Sequence, residues 1–244
     1  MRTRYGRPVF RVPLDAGGNC PNRNEDRSGG CSFCAEDGGR AVQLQSAESL
    51  EAQCTKGMAF ARRRYNAQRF MAYLQTFTNT LEQGPLADGT LRELLQRHDF
   101  AAVTVGTRPD CLTDQAIDHL QKLATITDVY VELGVQSTND DSLATVNRGH
   151  EWACSRAAIE RLHAAGLNPV AHMILGLPGE SWASMLAGAD ELAKLPLAGI
   201  KLHNLHVIEG TQLAEQYATE AFPTLDAFAY AELLLQYLRR LPAT

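Results

Sequence analysis

Residues 101–135 read AAVTVGTRPDCLTDQAIDHLQKLATITDVYVELGV, and the order of patterns along them decides the fold class. Residues 101–106 are small, apolar or β-branched, a run that suits a buried strand. Ile117, Leu120, Leu123 and Ala124 then recur at the spacing of one helix face. They follow Thr113, whose hydroxyl can accept from a free amide at a helix start. Residues 129–135 return to a strand-like run. Strand, helix and strand in succession predict a parallel sheet with helices outside it.

The same step repeats in both directions. Strand-like runs at 10–14, 70–77, 169–175 and 199–207 alternate with helical periods at Leu50, Cys54, Met58 and Ala61, at Trp152, Ile159, Leu162 and Ala165, and at Met185, Leu186, Ala189 and Leu192. Ser46 and Ser181 stand where caps are needed, and Gly166 followed by Pro169 stops the helix before them. A last apolar period, Phe228, Leu234, Leu235, Leu238 and Leu241, predicts a C-terminal helix after Pro223 and Thr224. No Pro- or Gly-rich linker divides the chain, so one domain is expected over 1–244: first strand and long loop at 5–40, remaining βα units at 41–207, C-terminal helices at 208–244. Six βα units fit an open doubly wound sheet or an incomplete barrel, and periodicity leaves both open.

Composition narrows the function classes. The 244 residues are 45% hydrophobic and 21% charged, and no apolar run approaches the ~20 residues that span a bilayer. A membrane protein, a disordered chain and a small disulfide-stapled fold are thereby excluded. Residues 1–8 carry three arginines without the apolar stretch of a secretory signal, so a reducing cytoplasm is expected, where cysteines stay as thiols or bind metal. The net charge of −5 hides an asymmetry: twelve Lys and Arg face seven Asp and Glu through residue 70, and eleven face twenty-one beyond it. This argues against a generic nucleic-acid binder but leaves one basic face. Its strongest patch is Arg62, Arg63 and Arg64, followed by Tyr65 and Arg69, read either as a helix end that favours positive charge or as a contact for RNA phosphates.

Cys20, Cys31 and Cys34 form C-x10-C-x2-C in a loop, 15–40, that is too long for an ordinary βα connection. Soft thiolates at this spacing suit zinc or an iron–sulfur cluster. A structural zinc wants four protein ligands, and the loop holds no fourth Cys or His. Three cysteines on a four-iron cluster would leave one iron open. A zinc loop completed by a distant His, or three unrelated thiols, remain as alternatives. Cys54, Cys111 and Cys154 read as buried small apolar residues.

The stretches DAGGNCPNRNEDRSGGCSFC (15–34), GTRPDCL (106–112), ELGVQS (132–137), NRGH (147–150) and HMILGLPGE (172–180), in this order, resemble the radical S-adenosylmethionine (SAM) superfamily. The resemblance covers residues 5–241 and is nearest to the branch of the Elongator catalytic subunit and, further off, oxygen-independent coproporphyrinogen oxidase. It implies an α/β fold, an incomplete (β/α)6 barrel with a cluster-binding loop after the first strand and a C-terminal helix. It also implies a [4Fe-4S] cluster on Cys20, Cys31 and Cys34, with SAM on the fourth iron, cleaved to a 5′-deoxyadenosyl radical. A site at the C-terminal ends of the strands follows from the barrel.

The resemblance further assigns residues. Gln75, Thr78 and Asn79 stand where the family holds the SAM amino group, although QTFTN replaces the usual Gly-Gly-Glu pattern, and polar residues satisfying a turn explain them equally. Gln136 is assigned to a ribose hydroxyl and Arg148 to the SAM carboxylate, tasks suited to an amide and to a rigid fork. Ile174 and Gly176 lie on the strand used for adenine. His172, two residues earlier on the same face, is either a further cofactor contact or a satisfied core histidine. Glu180 is displaced by one from the family's acidic position. Arg108 and Asp110 are expected to line the substrate cavity or pair with each other, and of His203 and His206 at most one faces the pocket, with His203 the candidate.

The substrate expected from the Elongator likeness is a tRNA nucleoside at the wobble uridine, with a flavodoxin or ferredoxin as electron donor and no membrane partner. Elongator's acetyltransferase domain has no counterpart in these residues, which argues against acetyl-CoA chemistry, and the chain ends at Thr244 where the family continues. Radical chemistry on a small metabolite, and a non-catalytic zinc-binding module, are the other readings.

Overall fold

The computed structural model describes residues 2–24, 26, 28–41, 44, 48–82 and 84–242; Ser46 and Thr244 lie outside the described residues. In chain order the elements are α1 (Arg2–Tyr5), β1 (Val9–Leu14), α2 (Leu50–Tyr65), β2 (Arg69–Leu74), α3 (Thr90–Arg97), β3 (Phe100–Thr107), α4 (Asp114–Ala124), β4 (Asp128–Gln136), α5 (Asp140–Thr145), α6 (Trp152–Ala164), β5 (Asn168–Leu175), α7 (Trp182–Leu192), β6 (Gly199–Asn204), α8 (Gln212–Thr219) and α9 (Ala227–Arg240). The strands pair in parallel in the order β1-β2-β3-β4-β5-β6 and curl into a half-barrel, which selects the incomplete barrel over the doubly wound sheet. Side-chain caps start the helices: Ser49 accepts from the Ala52 amide, Thr113 from Ala116 and Ser181 from Ser184. Each cap satisfies one amide that has no partner within its helix.

Alternation along each strand separates two environments. On β5, Pro169, Ala171, Met173 and Leu175 are buried. Of these, Ala171, Met173 and Leu175 join the main core with Leu120, Leu123, Ile159, Leu162 and Ala189 from the helices. The inward residues behave differently from one end of the barrel to the other. Met71, Ala102 and Tyr130 plug the N-terminal end, and Tyr5 packs against them from α1. Arg4 closes that floor by gripping Asp128 at 2.9 and 2.8 Å, while the Tyr5 hydroxyl donates to the same carboxylate at 2.6 Å. The N-terminal floor is thus closed by one ion pair and a hydrogen-bonded phenol, and the other polar inward residues that matter for the site lie toward the C-terminal half.

Several expectations shift. β2 ends at Leu74 and β6 at Asn204, so residues 75–77 and 205–207 belong to loops. Ala124 is exposed at the end of α4. α3 was not foreseen, although Leu91, Leu94 and Leu95 give it a buried face. On α9 the buried residues are Leu233 and Tyr237, with Tyr230 and Leu241 packed partly against the core. Phe228, Leu235 and Leu238 are exposed at 87%, 51% and 51%. The stripe 230, 233, 237 and 241 has helical spacing but includes two tyrosines, and it is this stripe that turns inward.

Candidate active site

The loop after β1 crosses the C-terminal mouth and is pinned at several points. Asp15 is buried, accepts from the Gly17 amide at 3.0 Å and the Thr76 hydroxyl at 2.8 Å, and pairs with Arg40. Burial raises the Asp15 carboxyl, but these donors outweigh it and the net direction is downward. Gln53 of α2 holds the same turn, accepting from the Asp15 amide at 2.7 Å and donating to its carbonyl at 3.0 Å. Farther along, Asn22 donates to the Asn147 carbonyl and Asn147 to the Gly30 carbonyl, both at 2.7 Å. Gly38, at φ +67°, lies under the Phe77 ring, where a Cβ would come within 2.8 Å of ring carbon.

Cys20, Cys31 and Cys34 line one cavity of about 250 Å³ with Gln75, Thr78, Arg108, Gln136, Arg148 and His172. Each thiol has its own guanidinium: Arg23 lies 3.2 Å from Cys34 Sγ, Arg148 3.5 Å from Cys31 Sγ and Arg108 4.0 Å from Cys20 Sγ. Positive charge beside a thiol favours the thiolate, the form that ligates metal. At Cys34 burial pushes the thiol upward and outweighs the opposing Arg23, so the net direction is upward. All six cysteines are free, and among the described residues no three His, Cys, Asp or Glu side chains close on a single ion. Three cysteines spread around a shared cavity suit a cubane, whose ligands sit on separate irons, better than a zinc ion, whose ligands share one centre.

The cofactor candidates divide. Gln136 ends β4 in the left-handed region, at φ +71°, and its buried Oε1 has no partner. A strained residue with an unsatisfied polar atom is the kind of group that awaits a ligand. Thr78 Oγ1 and Asn79 Oδ1 are also buried without partners, while Asn79 Nδ2 holds the Gly106 carbonyl at 2.9 Å. Gln75 is more exposed and reaches the Gly39 carbonyl at 3.4 Å. Arg148 departs from the expected open fork: Nε and Nη2 donate to the Gly134 carbonyl at 3.2 and 2.6 Å, leaving Nη1 beside Cys31. Gly134 permits this, since a Cβ there would lie 2.7 Å from Arg148 Nη2 and 2.8 Å from Gln136 Nε2.

The remaining candidates lie at the border of the cysteine cavity or beyond it. Ile174 lines an adjoining pocket with Gln136 and packs toward Phe33, and the Gly176 amide is engaged by Met185 sulfur at 3.1 Å. Glu180 accepts from the Ser137 hydroxyl beside that pocket. Arg108 and Asp110 pair bidentately at 2.9 and 2.7 Å, and Arg108 also donates to the Arg148 carbonyl at 2.9 Å. Arg62, Arg63 and Arg64 end α2 just before β2 begins, so they lie at the N-terminal edge of the sheet, away from the mouth. Arg63 instead borders a groove of about 700 Å³ beside β1, with Phe10, Phe60 and Tyr65, which contains none of the three loop cysteines.

Sequence reasoning missed a cluster below the cysteines. Glu132 on β4 accepts from the Tyr73 hydroxyl at 2.9 and 3.1 Å and from Lys201 Nζ at 2.9 Å, and His172 Nδ1 lies 3.4 Å from Glu132 Oε1. Burial raises the Glu132 carboxyl, but the His172 hydrogen bond and the Lys201 charge overcome it and hold it down at about 2. His203 lies against His172 with ring centres 4.7 Å apart and ring planes tilted by 38°. Burial, and then His172 and Lys201, lower His203 to about 4. A carboxylate inside the quoted run ELGVQS, two residues from Gly134 and four from Gln136, was the available signal. A charge within an otherwise apolar buried strand has to be paired.

Comparison with known proteins adds the family. Residues 18–192 match the profile of the radical SAM superfamily, and residues 197–244 that of the radical SAM C-terminal domain. The chain is 31% identical over 243 residues to the protein YtqA of Bacillus subtilis, covering 99% of this chain and 76% of that one. It is 27% identical over 152 residues to the tRNA uridine(34) acetyltransferase of Methanocaldococcus infernus, covering 57% of this chain and 27% of that one. Among solved structures, N-terminally deleted Elp3 of M. infernus aligns with a TM-score of 0.70 at 18% identity, a likeness of fold. This chain spans about half of that structure, 54% of its length, with 96% of its own residues aligned.

Proposed function

Because this chain belongs to the radical SAM superfamily, enzymes that work with a [4Fe-4S] cluster and SAM, we propose that it modifies a nucleoside within tRNA, at the wobble uridine. The observation that carries the site assignment is the shared cavity of Cys20, Cys31 and Cys34, with the unsatisfied Gln136 Oε1 at its side. When bound, the cluster and SAM supply a 5′-deoxyadenosyl radical that takes hydrogen from the substrate. The three cysteines would hold the cluster, with Arg23, Arg108 and Arg148 offsetting thiolate charge. Gln136 would meet the ribose. Thr78 and Asn79, each with a buried unpartnered oxygen, would accept from the amino group, with Gln75 at the rim. Arg148 Nη1 would be the donor for the SAM carboxylate, and Ile174 and Gly176 would border the adenine. A flavodoxin or ferredoxin would supply the electron.

The tRNA assignment is supported by the relative named for uridine(34), and a base taken out of its stack is the form of a nucleoside that can enter a barrel mouth. A small-metabolite substrate is the second reading, favoured by Arg62, Arg63 and Arg64 lying at the opposite edge, where they give no support to phosphate contacts at the mouth. Anaerobic reconstitution and nucleoside analysis separate these. The expected results are a brown protein that yields 5′-deoxyadenosine, and a nucleoside altered in tRNA from a strain lacking the gene. Identical tRNA nucleosides would transfer the assignment to a small molecule, and a colourless zinc protein would remove the enzyme reading.

A further inference from the structure

Beneath the cysteines, a carboxylate, an ammonium, a phenol and two imidazoles share the inward face of β2, β4, β5 and β6. The neighbouring inward layer is filled by Met71, Ala102 and Tyr130, and apolar packing is the less costly way to fill such a space, since a buried ion pair often contributes no net stability. The arrangement is also directional. Glu132 and His172 both line the cavity that holds the three cysteines, whereas Tyr73 and Lys201 back the carboxylate from behind.

We infer that Glu132 and His172 form a proton-transfer dyad that acts on a substrate bearing an N–H or O–H group at the bottom of the cysteine cavity. Glu132, fixed by Tyr73 and Lys201, is an acceptor only, so the approach of His172 Nδ1 to 3.4 Å favours a proton on Nδ1, and in the neutral ring Nε2 is then the free acceptor. In the step, the Nε2 lone pair takes the substrate proton, the N–H or O–H bonding pair stays on the substrate heteroatom, and His172 becomes an imidazolium facing Glu132. The reverse transfer restores the dyad, and no oxidant or reductant enters. His203, tilted beside His172 and lowered to about 4 by partial desolvation and the neighbouring His172 and Lys201, does not compete for the proton. The other groups facing His172 are Lys201 from β6, Tyr73 from β2 with Arg11 over its ring at 5.3 Å, and Arg23, Arg108 and Arg148 across the cavity.

The inference rests on the radical reading for the reaction as a whole, but the dyad can be examined in the protein without cofactors. In protein labelled with ¹⁵N-histidine, kept reduced at pH 8, two-bond nitrogen–proton spectra should show His172 as the Nδ1–H tautomer, identified by its loss in His172→Gln. Glu132→Gln should abolish that preference. An Nε2–H tautomer in the parent protein would overturn the proposal. With reconstituted enzyme, SAM, dithionite and tRNA from a strain lacking the gene, His172→Gln and His172→Asn should lower the turnover rate constant about a hundredfold, the low end for general acid–base catalysis. Glu132→Gln should displace the acidic limb of the pH profile. Turnover of both His172 variants within twofold of the parent would equally overturn the dyad. If the parent enzyme fails to cleave SAM, the radical reading fails and the nitrogen spectra still decide the dyad.

Discussion

At the scale of single residues, the cysteines carry the sharpest expectation. Cys20→Ala, Cys31→Ala or Cys34→Ala should each abolish iron uptake on anaerobic reconstitution, whereas Cys54→Ala and Cys154→Ala should retain it, as measured by iron content and visible absorbance. Cys54 is buried against Met58, with its thiol pushed up to about 11 by burial, far from a ligand's thiolate. Gly134 carries a second expectation, because a methyl group there has no space between Arg148 and Gln136. Gly134→Ala should cost about 1–3 kcal/mol of stability, the usual range for overpacking, and weaken SAM binding by displacing both side chains. Calorimetric titration of SAM into the reconstituted variant checks it; affinity equal to the parent's would disconnect Gly134 from the cofactor site. The motif cysteines were legible because their spacing is local. Glu132, Lys201 and Tyr73 were not, because their meeting depends on register and on the curl of the sheet, which brings together residues from three strands that are not paired with one another.

At the scale of elements, the strands were legible from composition and their ends were not. Apolar runs mark where a sheet is buried, but Gln75 and Leu205 leave the ladder for reasons of turn geometry that period alone does not contain. α9 shows the opposite failure. Two apolar stripes compete on it, and Tyr230, Leu233 and Tyr237 form the packed face although the other stripe is richer in leucine. The helix is also anchored to α7 by Arg240 on Asp190 at 2.6 Å and by Trp182 Nε1 on Gln236 at 3.2 Å. Leu233→Ala should therefore cost about 2–5 kcal/mol, the range for a buried leucine. Leu238→Ala, on the exposed side, should stay within about 0.5 kcal/mol. Urea denaturation of the two variants distinguishes the stripes, and equal losses would contradict the packing of α9.

At the scale of the whole molecule, the titrating groups whose ordinary values are displaced set how stability responds to acid. Glu132 is held at about 2 against an ordinary 4.5, so its stabilisation is complete above pH 4.5 and is lost as pH falls through about 2. His203, and His150 beneath Arg148, are lowered to about 4 from 6.5, with burial the leading cause. The unfolded chain takes up those protons first, so stability should fall as pH drops from 6.5 to about 4. Urea midpoints across pH 7 to 4 should show this decline in the parent and a shallower one in His203→Asn; matching slopes would remove His203 from the acid response. The parallel order β1 to β6 has another consequence. Every strand neighbours the next one in the chain, and the barrel does not close, so two seams are left where pairing stops on one side. Opening can then begin at either seam and proceed inward one strand at a time without breaking the middle first. Amide hydrogen exchange should be fastest along β1 and β6 and slowest in β3 and β4, so that the protein unzips from its flanks while Glu132 and the start of the Gln136 turn are still protected.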